Sequence, residues 1–182
     1  IPDHWTLTKV NNHNPNGWQY GNGLYLSEDG DGKPGGAITG NRYLLSEIGW
    51  WWDGGSAEQT VSVDPGTYDL ELSFYAAIYP VGSGYVNHIN GEIIVDGNTV
   101  ATGHLASIYD DIPYKKVTAS WKGQVDSEIT VRLTGRVNSY IGAVPYINVD
   151  DVELWSRDCG TQHEVSDISP NVFDFVAVPA EA

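Results

Sequence analysis

The amino-acid sequence predicts an all-β protein with the architecture of a jelly-roll β-sandwich. Between residues 68 and 78 apolar side chains alternate with polar ones, which is the period of a strand with one buried face. The 21 glycines and 9 prolines divide the chain into short segments, and no window of about ten residues carries a helical stripe. Many short strands separated by turn residues are typical of a sandwich.

The same alternation predicts the strands in chain order. Val61 and Val63 end one strand before the turn Asp64-Pro65-Gly66. The triplet Asp96-Gly97-Asn98 predicts a hairpin turn between two further strands. The predicted strands lie at 24–27, 42–47, 68–78, 85–89, 92–95, 100–104, 115–121, 128–134 and 146–155, and residues 1–7 look like the start of another.

The chain divides into a sandwich over residues 1–155 and a C-terminal extension over 156–182, with a strand predicted at 171–178. Either this extension packs on its own domain or its strand is lent to a neighbouring molecule, because an open sheet edge accepts an incoming strand. Residues 1–10 are the other candidate donor. The β-prone side chains of the extension are Val172, Phe173, Phe175, Val176 and Val178.

The charge balance excludes several partners. Nine Lys and Arg stand against 24 Asp and Glu, a formal net charge of −15. Such a surface repels nucleic acid and anionic lipid and attracts cations. No apolar run is long enough to span a bilayer. The chain begins at Ile1 and contains no Met, which we read as the mark of a removed secretory leader, so an extracellular location is expected.

No catalytic motif is present, and the sequence predicts a protein that is not an enzyme. It lacks a nucleophile elbow, a His-Glu-x-x-His pair, a phosphate loop and a dinucleotide fingerprint. The five histidines are scattered without zinc-ligand spacing. Pairs of acids that resemble a glycosidase dyad are common in a chain this acidic, and solvated or ion-binding acids explain them better.

Calcium is the predicted metal, because clustered carboxylates next to flexible glycines supply hard oxygen ligands. The segment 27–32 packs three acids around glycines but is not an EF-hand, since Gly40 stands where a bidentate Glu is required. The alternative for each cluster is a polar turn. The candidate calcium ligands are Glu28, Asp29, Asp31, Asp110, Asp111, Asp150 and Asp151.

Three consecutive tryptophans, Trp50, Trp51 and Trp52, form the most unusual segment. They cannot all face one side of a strand, so we expect at least one to be exposed or to pack under a loop. An exposed Trp can stack on a sugar ring or insert into a partner. The alternative is a core Trp with neighbours that cover it.

The order of the sequence motifs across residues 1–155 resembles that of jelly-roll carbohydrate-binding modules of the galactose-binding type. The resemblance rests on 2–6, on 41–45, on 57–66 leading into 68–75, and on the closing 149–154. It implies a structural calcium site to which Asp150 and Asp151 contribute. The first strand usual in those modules, with its Asn-Gly-Gly-Phe-Glu type of motif, is absent here, which leaves a groove open.

The chain also resembles subunits of archaeal cannulae, the extracellular tubes of hyperthermophiles. The shared features are the missing first strand, the C-terminal extension, the acidic surface and the processed N-terminus. This resemblance implies calcium-dependent self-assembly by donation of a strand, and the absence of Met fits a heat-adapted chain. The sequence therefore favours a structural subunit of an extracellular tube or filament. The alternative is a calcium-stabilised carbohydrate-binding module that binds polysaccharide through Trp50–Trp52.

Overall fold

A computed structural model describes residues 6–11, 21–28, 36–38, 42–48, 53–81, 84–137 and 145–158, together with four short strands in the C-terminal extension. These residues form the two antiparallel sheets of a sandwich and a separate two-stranded sheet in the C-terminal extension. No helix that could span a membrane occurs among these residues. The predicted all-β sandwich is confirmed.

The first sheet has five strands. In spatial order they are β1 (Thr6–Asn11), β4 (Asp53–Ser62), β9 (Glu128–Val137), β6 (Asn87–Val95) and β7 (Asn98–Ser107). The second sheet is built from β2 (Gly21–Glu28), β3 (Arg42–Ile48), β10 (Tyr146–Asp158), β5 (Gly66–Tyr79) and β8 (Ile112–Val125). The strands β11 (His163–Val165) and β14 (Ala177–Pro179) extend this sheet beside β10.

The core lies between the two sheets and follows the predicted alternation. On β5 the residues Leu70, Leu72, Phe74, Ala76 and Ile78 are fully buried. They pack against inward-facing residues of the first sheet, which are Ile89, Ile93, Ile129, Val131 and Leu133. Burial of these side chains is the main driving force for closing the sandwich.

One predicted break does not exist. The sequence pattern places separate strands at 85–89 and 92–95, whereas β6 runs unbroken from Asn87 to Val95. Gly91 faces the core, where a Cβ atom would overlap the ring of Phe74. Here the glycine permits close packing instead of a turn.

The C-terminal part differs from its predicted outline. Strand β10 continues to Asp158 and pairs with β5 along that length. Within the predicted strand 171–178, Val172 and Phe173 form β13, which pairs with β12 (Ile168–Ser169), and Val178 belongs to β14. Phe175 and Val176 lie outside the described residues, so donation of this segment to a neighbour stays a prediction.

The predicted hairpin turn at Asp96-Gly97 is present, and its aspartate also binds a second turn. Both residues have positive φ angles, 47° and 80°, as expected for a two-residue turn of this kind. The Asp96 carboxylate accepts backbone N–H groups from Asp126, Ser127 and Glu128 at 2.8, 2.9 and 3.1 Å. These hydrogen bonds lower the pKa of Asp96 below its ordinary value of 3.8.

Replacing Asp96 with Asn is expected to remove an acid-sensitive part of the stability. Asparagine tolerates the positive φ but lacks the charge that the three N–H groups favour. A lowered pKa means that the carboxylate stabilises the fold above its unfolded pKa and loses this effect as the pH falls through the folded value. Between about pH 6 and about pH 2, the free energy of unfolding measured in urea should fall more steeply for the wild type than for Asp96→Asn. Parallel curves would contradict this role.

Candidate functional site

The outer face of the second sheet carries an exposed tryptophan among hydrogen-bonding side chains. Trp155 on β10 is 42% exposed, whereas Trp121 on β8 packs against the core. The strand register places Trp155 opposite Glu71, which pairs in turn with Ser120. We call this surface the Trp155 face. Its two neighbouring rows are Trp155, Glu71 and Ser120, and Glu153, Ser73 and Thr118, of which Ser73 is buried.

The indole of Trp155 is held by a carboxylate of its own strand. One oxygen of Glu153 accepts the indole N–H at 3.2 Å and the hydroxyl of Ser73 at 3.3 Å. The anchored indole N–H fixes the edge of the ring while part of the ring remains open to solvent. The Trp155 face therefore combines a positioned aromatic ring with carboxylate and hydroxyl groups in adjacent rows.

A β-bulge sets the direction of Trp155. The register of β10 against β5 shifts between Asp150 and Glu153, and Asp151 has a φ of 46°. On one side of the bulge Ile147 and Val149 are buried, and on the other side Val152 and Leu154 are buried. The extra residue thus reverses the alternation, and Trp155 faces outward.

Asp150 stabilises this bulge from a buried position. It is 4% exposed, and one carboxylate oxygen accepts the N–H of Asp151 at 2.9 Å. The other oxygen accepts the N–H of Ile38 at 2.6 Å. The segment 36–38 is held a second time, because the Tyr114 hydroxyl donates to the carbonyl of Gly36 at 2.6 Å. Asp150 therefore links the bulge to the connection between β2 and β3.

The predicted calcium ligands fall into three places. Asp150 and Asp151 lie at the bulge, and the exposed pair Asp110 and Asp111 lies between β7 and β8. Asp29, Asp31 and the side chain of Glu28 lie outside the described residues. Within the described part of the chain no three Asp, Glu, His or Cys side chains converge on one point. The described residues alone therefore assemble no calcium cage, and calcium binding stays a prediction.

The outer face of the first sheet has a charged row. The guanidinium of Arg132 on β9 donates to Glu58 on β4 at 2.6 Å and lies 3.8 Å from Glu92 on β6. The hydrogen bond to Glu58 is the main reason that the pKa of Arg132 is raised. Because Nε of Arg132 is bound to Glu58 and Nη1 faces Glu92, the charges of this row largely satisfy one another, and the row offers few free groups to a ligand.

One end of the sandwich, where β5 and β7 end and β6 and β8 begin, exposes apolar side chains. Tyr109 is 71% exposed, more than any other large hydrophobic residue that the structure describes. At the end of β5, burial and the nearby charge of Asp111 raise the pKa of Tyr79. The exposed residues at this end are Val81, Tyr85, Val86, Ile108 and Tyr109.

The predicted sugar platform Trp50–Trp52 lies outside the described residues, between Ile48 of β3 and Asp53 of β4. The aromatic residue that the structure does expose on a sheet face, Trp155, was not among the predicted contacts. Strict alternation from Ile147 and Val149 places Trp155 in the core. The signs of the bulge in the sequence are Asp150-Asp151 and the shift of the apolar positions to Val152 and Leu154.

Comparison with known proteins shows what the sandwich is similar to. TmCBM61, solved in complex with β-1,4-galactotriose, superposes with a TM-score of 0.51 at 11% identity, covering 84% of this chain and 88% of that one. A structure of carbohydrate-binding modules from the β-sandwich superfamily, described as having promiscuous specificity, superposes with a TM-score of 0.51 at 13% identity. The match covers 83% of this chain and 56% of that one. The Stig cyclase Fisc from Fischerella sp. TAU gives 0.55 at 11%, covering 86% of both chains.

Comparison with protein families gives no match, and comparison with curated proteins gives none either. Identities this low show a shared fold. The chain is a β-sandwich like those of carbohydrate-binding modules, and cyclases use the same fold. A fold shared by binding proteins and enzymes does not select between them, so the function has to be argued from the site.

Proposed function

We propose that this chain is a non-catalytic carbohydrate-binding protein and that the Trp155 face is its sugar-binding surface. The observation that carries the proposal is the exposed indole of Trp155, positioned by Glu153 and set among hydroxyl and carboxylate side chains. The likeness to carbohydrate-binding sandwiches supports this class of function.

The chemistry of the face suits a neutral sugar. A pyranose ring has an apolar face of C–H groups that stacks on an aromatic ring, and its hydroxyls donate and accept hydrogen bonds at the rim. Glu71 and Glu153 accept only, whereas Ser120 and Thr118 both donate and accept. Two carboxylates beside the ring, within a chain of net charge −15, favour hydroxyl donors and oppose anionic polysaccharides.

Replacing Trp155 with Ala is expected to weaken binding by about 2 kcal/mol, roughly 30-fold in Kd, because a buried aromatic anchor carries much of such an interface. Affinity gel electrophoresis against a panel of neutral polysaccharides measures the retardation of wild type and variant. Tyr109→Ala is the matched control, since it removes a more exposed aromatic ring at the end of the sandwich.

Three results would count against the proposal. Absence of retardation by any neutral polysaccharide would remove the carbohydrate class itself. Equal retardation of Trp155→Ala and wild type would remove the Trp155 face. Loss of retardation only in Trp51→Ala would move the site to the predicted tryptophan run at residues 50–52.

A second candidate is self-assembly into an extracellular tube or filament by strand exchange and calcium bridging. It is favoured by β7, which among the described strands pairs in a sheet only with β6 and carries no charged residue over ten positions. Gly103 of β7 packs against Val117 and Thr118 of β8. An uncharged edge of this length accepts a strand readily. β8, the comparable edge of the second sheet, carries Lys115, Lys116 and Lys122.

Light scattering with rising calcium tests this candidate. We expect the wild type to form large assemblies as calcium rises and a chelator to dissolve them. Thr102→Lys on β7 should suppress this assembly, whereas Gln124→Lys on β8 should not. A wild-type protein that stays monomeric at all calcium concentrations would eliminate it.

A further inference from the structure

Two histidines lie next to each other on the outer face of the first sheet. His88 is on β6 and His104 is on β7, and their ring centroids are 5.7 Å apart with the planes tilted by 42°. The register pairs His104 with Asn90 and His88 with Ala106, so the histidines are diagonal neighbours across the two strands. They belong neither to the Trp155 face nor to the predicted calcium ligands.

Asn90 fixes the proton on one of these rings. The Nδ1 atom of His104 lies 2.5 Å from the amide oxygen of Asn90. An amide oxygen only accepts, so Nδ1 carries the proton and donates it to Asn90. The opposite nitrogen, Nε2, then keeps its lone pair. A histidine that ligates a metal is typically oriented in this way, with its second ring N–H bound to a protein acceptor.

His88 is also disposed to remain neutral. Its partial burial, followed by the charges of His104 and Arg136, lowers its pKa below the ordinary value of 6.5. A neutral imidazole is the form that binds a metal ion. Arg136 of β9 lies opposite His88 and opposes a cation, but the row beyond Asn90 and Thr134 holds Glu58 and Glu92 against Arg132 alone. These four side chains are together neutral.

We propose that His88 and His104 together bind one transition-metal ion of the Cu²⁺, Ni²⁺ or Zn²⁺ type. With metal–nitrogen distances of ~2.0–2.1 Å, the rings of two histidines on one ion have centroids ~5–6 Å apart, which matches the spacing seen. No third His, Cys, Asp or Glu in the described ranges joins them. The remaining coordination positions face solvent, where water or a hydroxyl-bearing ligand completes the shell.

The donor set predicts an order among metals. Imidazole nitrogens bind Cu²⁺ more tightly than Ni²⁺ or Zn²⁺, following the Irving–Williams order, and they have little affinity for Ca²⁺ or Mg²⁺. This order separates the histidine pair from the carboxylates predicted to bind calcium, because the two kinds of site respond to different ions.

Calorimetric titration of the full chain with Cu²⁺, Ni²⁺ and Ca²⁺ at about pH 7.5 tests the pair, with the thermal unfolding temperature as a second readout. We expect Cu²⁺ to bind and raise Tm in the wild type. His88→Gln and His104→Gln should each weaken this binding by at least tenfold, and Asn90→Ala by about tenfold through loss of the orienting hydrogen bond. Thr134→Ala, on the neighbouring strand, is the control that should bind as the wild type does.

The outcomes separate the alternatives. Cu²⁺ binding that both histidine substitutions leave unchanged would overturn the proposal, because another histidine of the chain would then hold the ion. So would the absence of any Cu²⁺ or Ni²⁺ binding to the wild type. Unchanged Tm of the variants in a chelator shows that they fold normally, so that a lost metal response reports the site.

Discussion

Replacing Phe74 with Ala is expected to lower the free energy of unfolding by about 3–5 kcal/mol, because it leaves a cavity in the centre of the sandwich. Phe74 is fully buried on β5, and its ring fills the space that Gly91 of β6 leaves between the sheets. Urea denaturation monitored by circular dichroism measures the loss. Tyr75→Ala, the next residue on the same strand but on the outer face, should cost much less.

The converse change at Gly91 tests the same contact. A Cβ atom at Gly91 would overlap the Phe74 ring, so Gly91→Ala should cost about 1–3 kcal/mol through overpacking. In the double variant Gly91→Ala with Phe74→Leu, the smaller side chain makes room, and the loss should be less than the sum of the single losses. Additive losses, or a Phe74→Ala cost below about 1 kcal/mol, would contradict this packing.

Replacing Asp150 with Ala is expected to lower the free energy of unfolding by about 2–4 kcal/mol. The substitution removes the acceptor of two N–H groups, those of Ile38 and Asp151, at a position that is 4% exposed. It also weakens the bulge that turns Trp155 outward. Urea denaturation in the presence of a chelator measures this hydrogen-bonding role without any contribution from calcium. Asp150→Asn, which keeps one oxygen acceptor, should lose less stability than Asp150→Ala.

Repeating this denaturation with calcium tests the predicted metal at the same residue. If calcium binds here, it should stabilise the wild type and leave Asp150→Ala unaffected. Equal stability of Asp150→Ala and wild type in chelator would contradict the role of Asp150 as an acceptor of the two N–H groups.

The sequence predicts β5 well, because its six inward residues alternate without interruption and bury against one core. It predicts β6 poorly. Asn90-Gly91 is a strong turn signal locally, yet the long-range contacts of the two residues decide the outcome. Gly91 admits the Phe74 ring on the inner face, and Asn90 binds His104 on the outer face. Local propensity was overridden by packing against residues distant in the sequence.

The candidate site was harder to predict than the fold, for a related reason. Alternate residues face the same side of a sheet only while the strand is regular. A single extra residue in a bulge moves every residue beyond it to the opposite face. The bulge at Asp151, with its positive φ, places Trp155 on the outer face, opposite to the face that strict alternation from Val149 would give it. The run Trp50–Trp52 is unusual in the sequence itself, whereas the exposure of Trp155 follows only from the register of β10.

Sugar binding at Trp155 is tested most directly by following the indole N–H resonances during titration with a neutral oligosaccharide. The chain has 7 tryptophans, and Trp155→Ala assigns the resonance of interest by its absence. We expect the Trp155 signal to move most, because the sugar stacks on that ring and lies beside the N–H bound to Glu153. A Trp155 signal that stays fixed while signals of residues 50–52 move would contradict it.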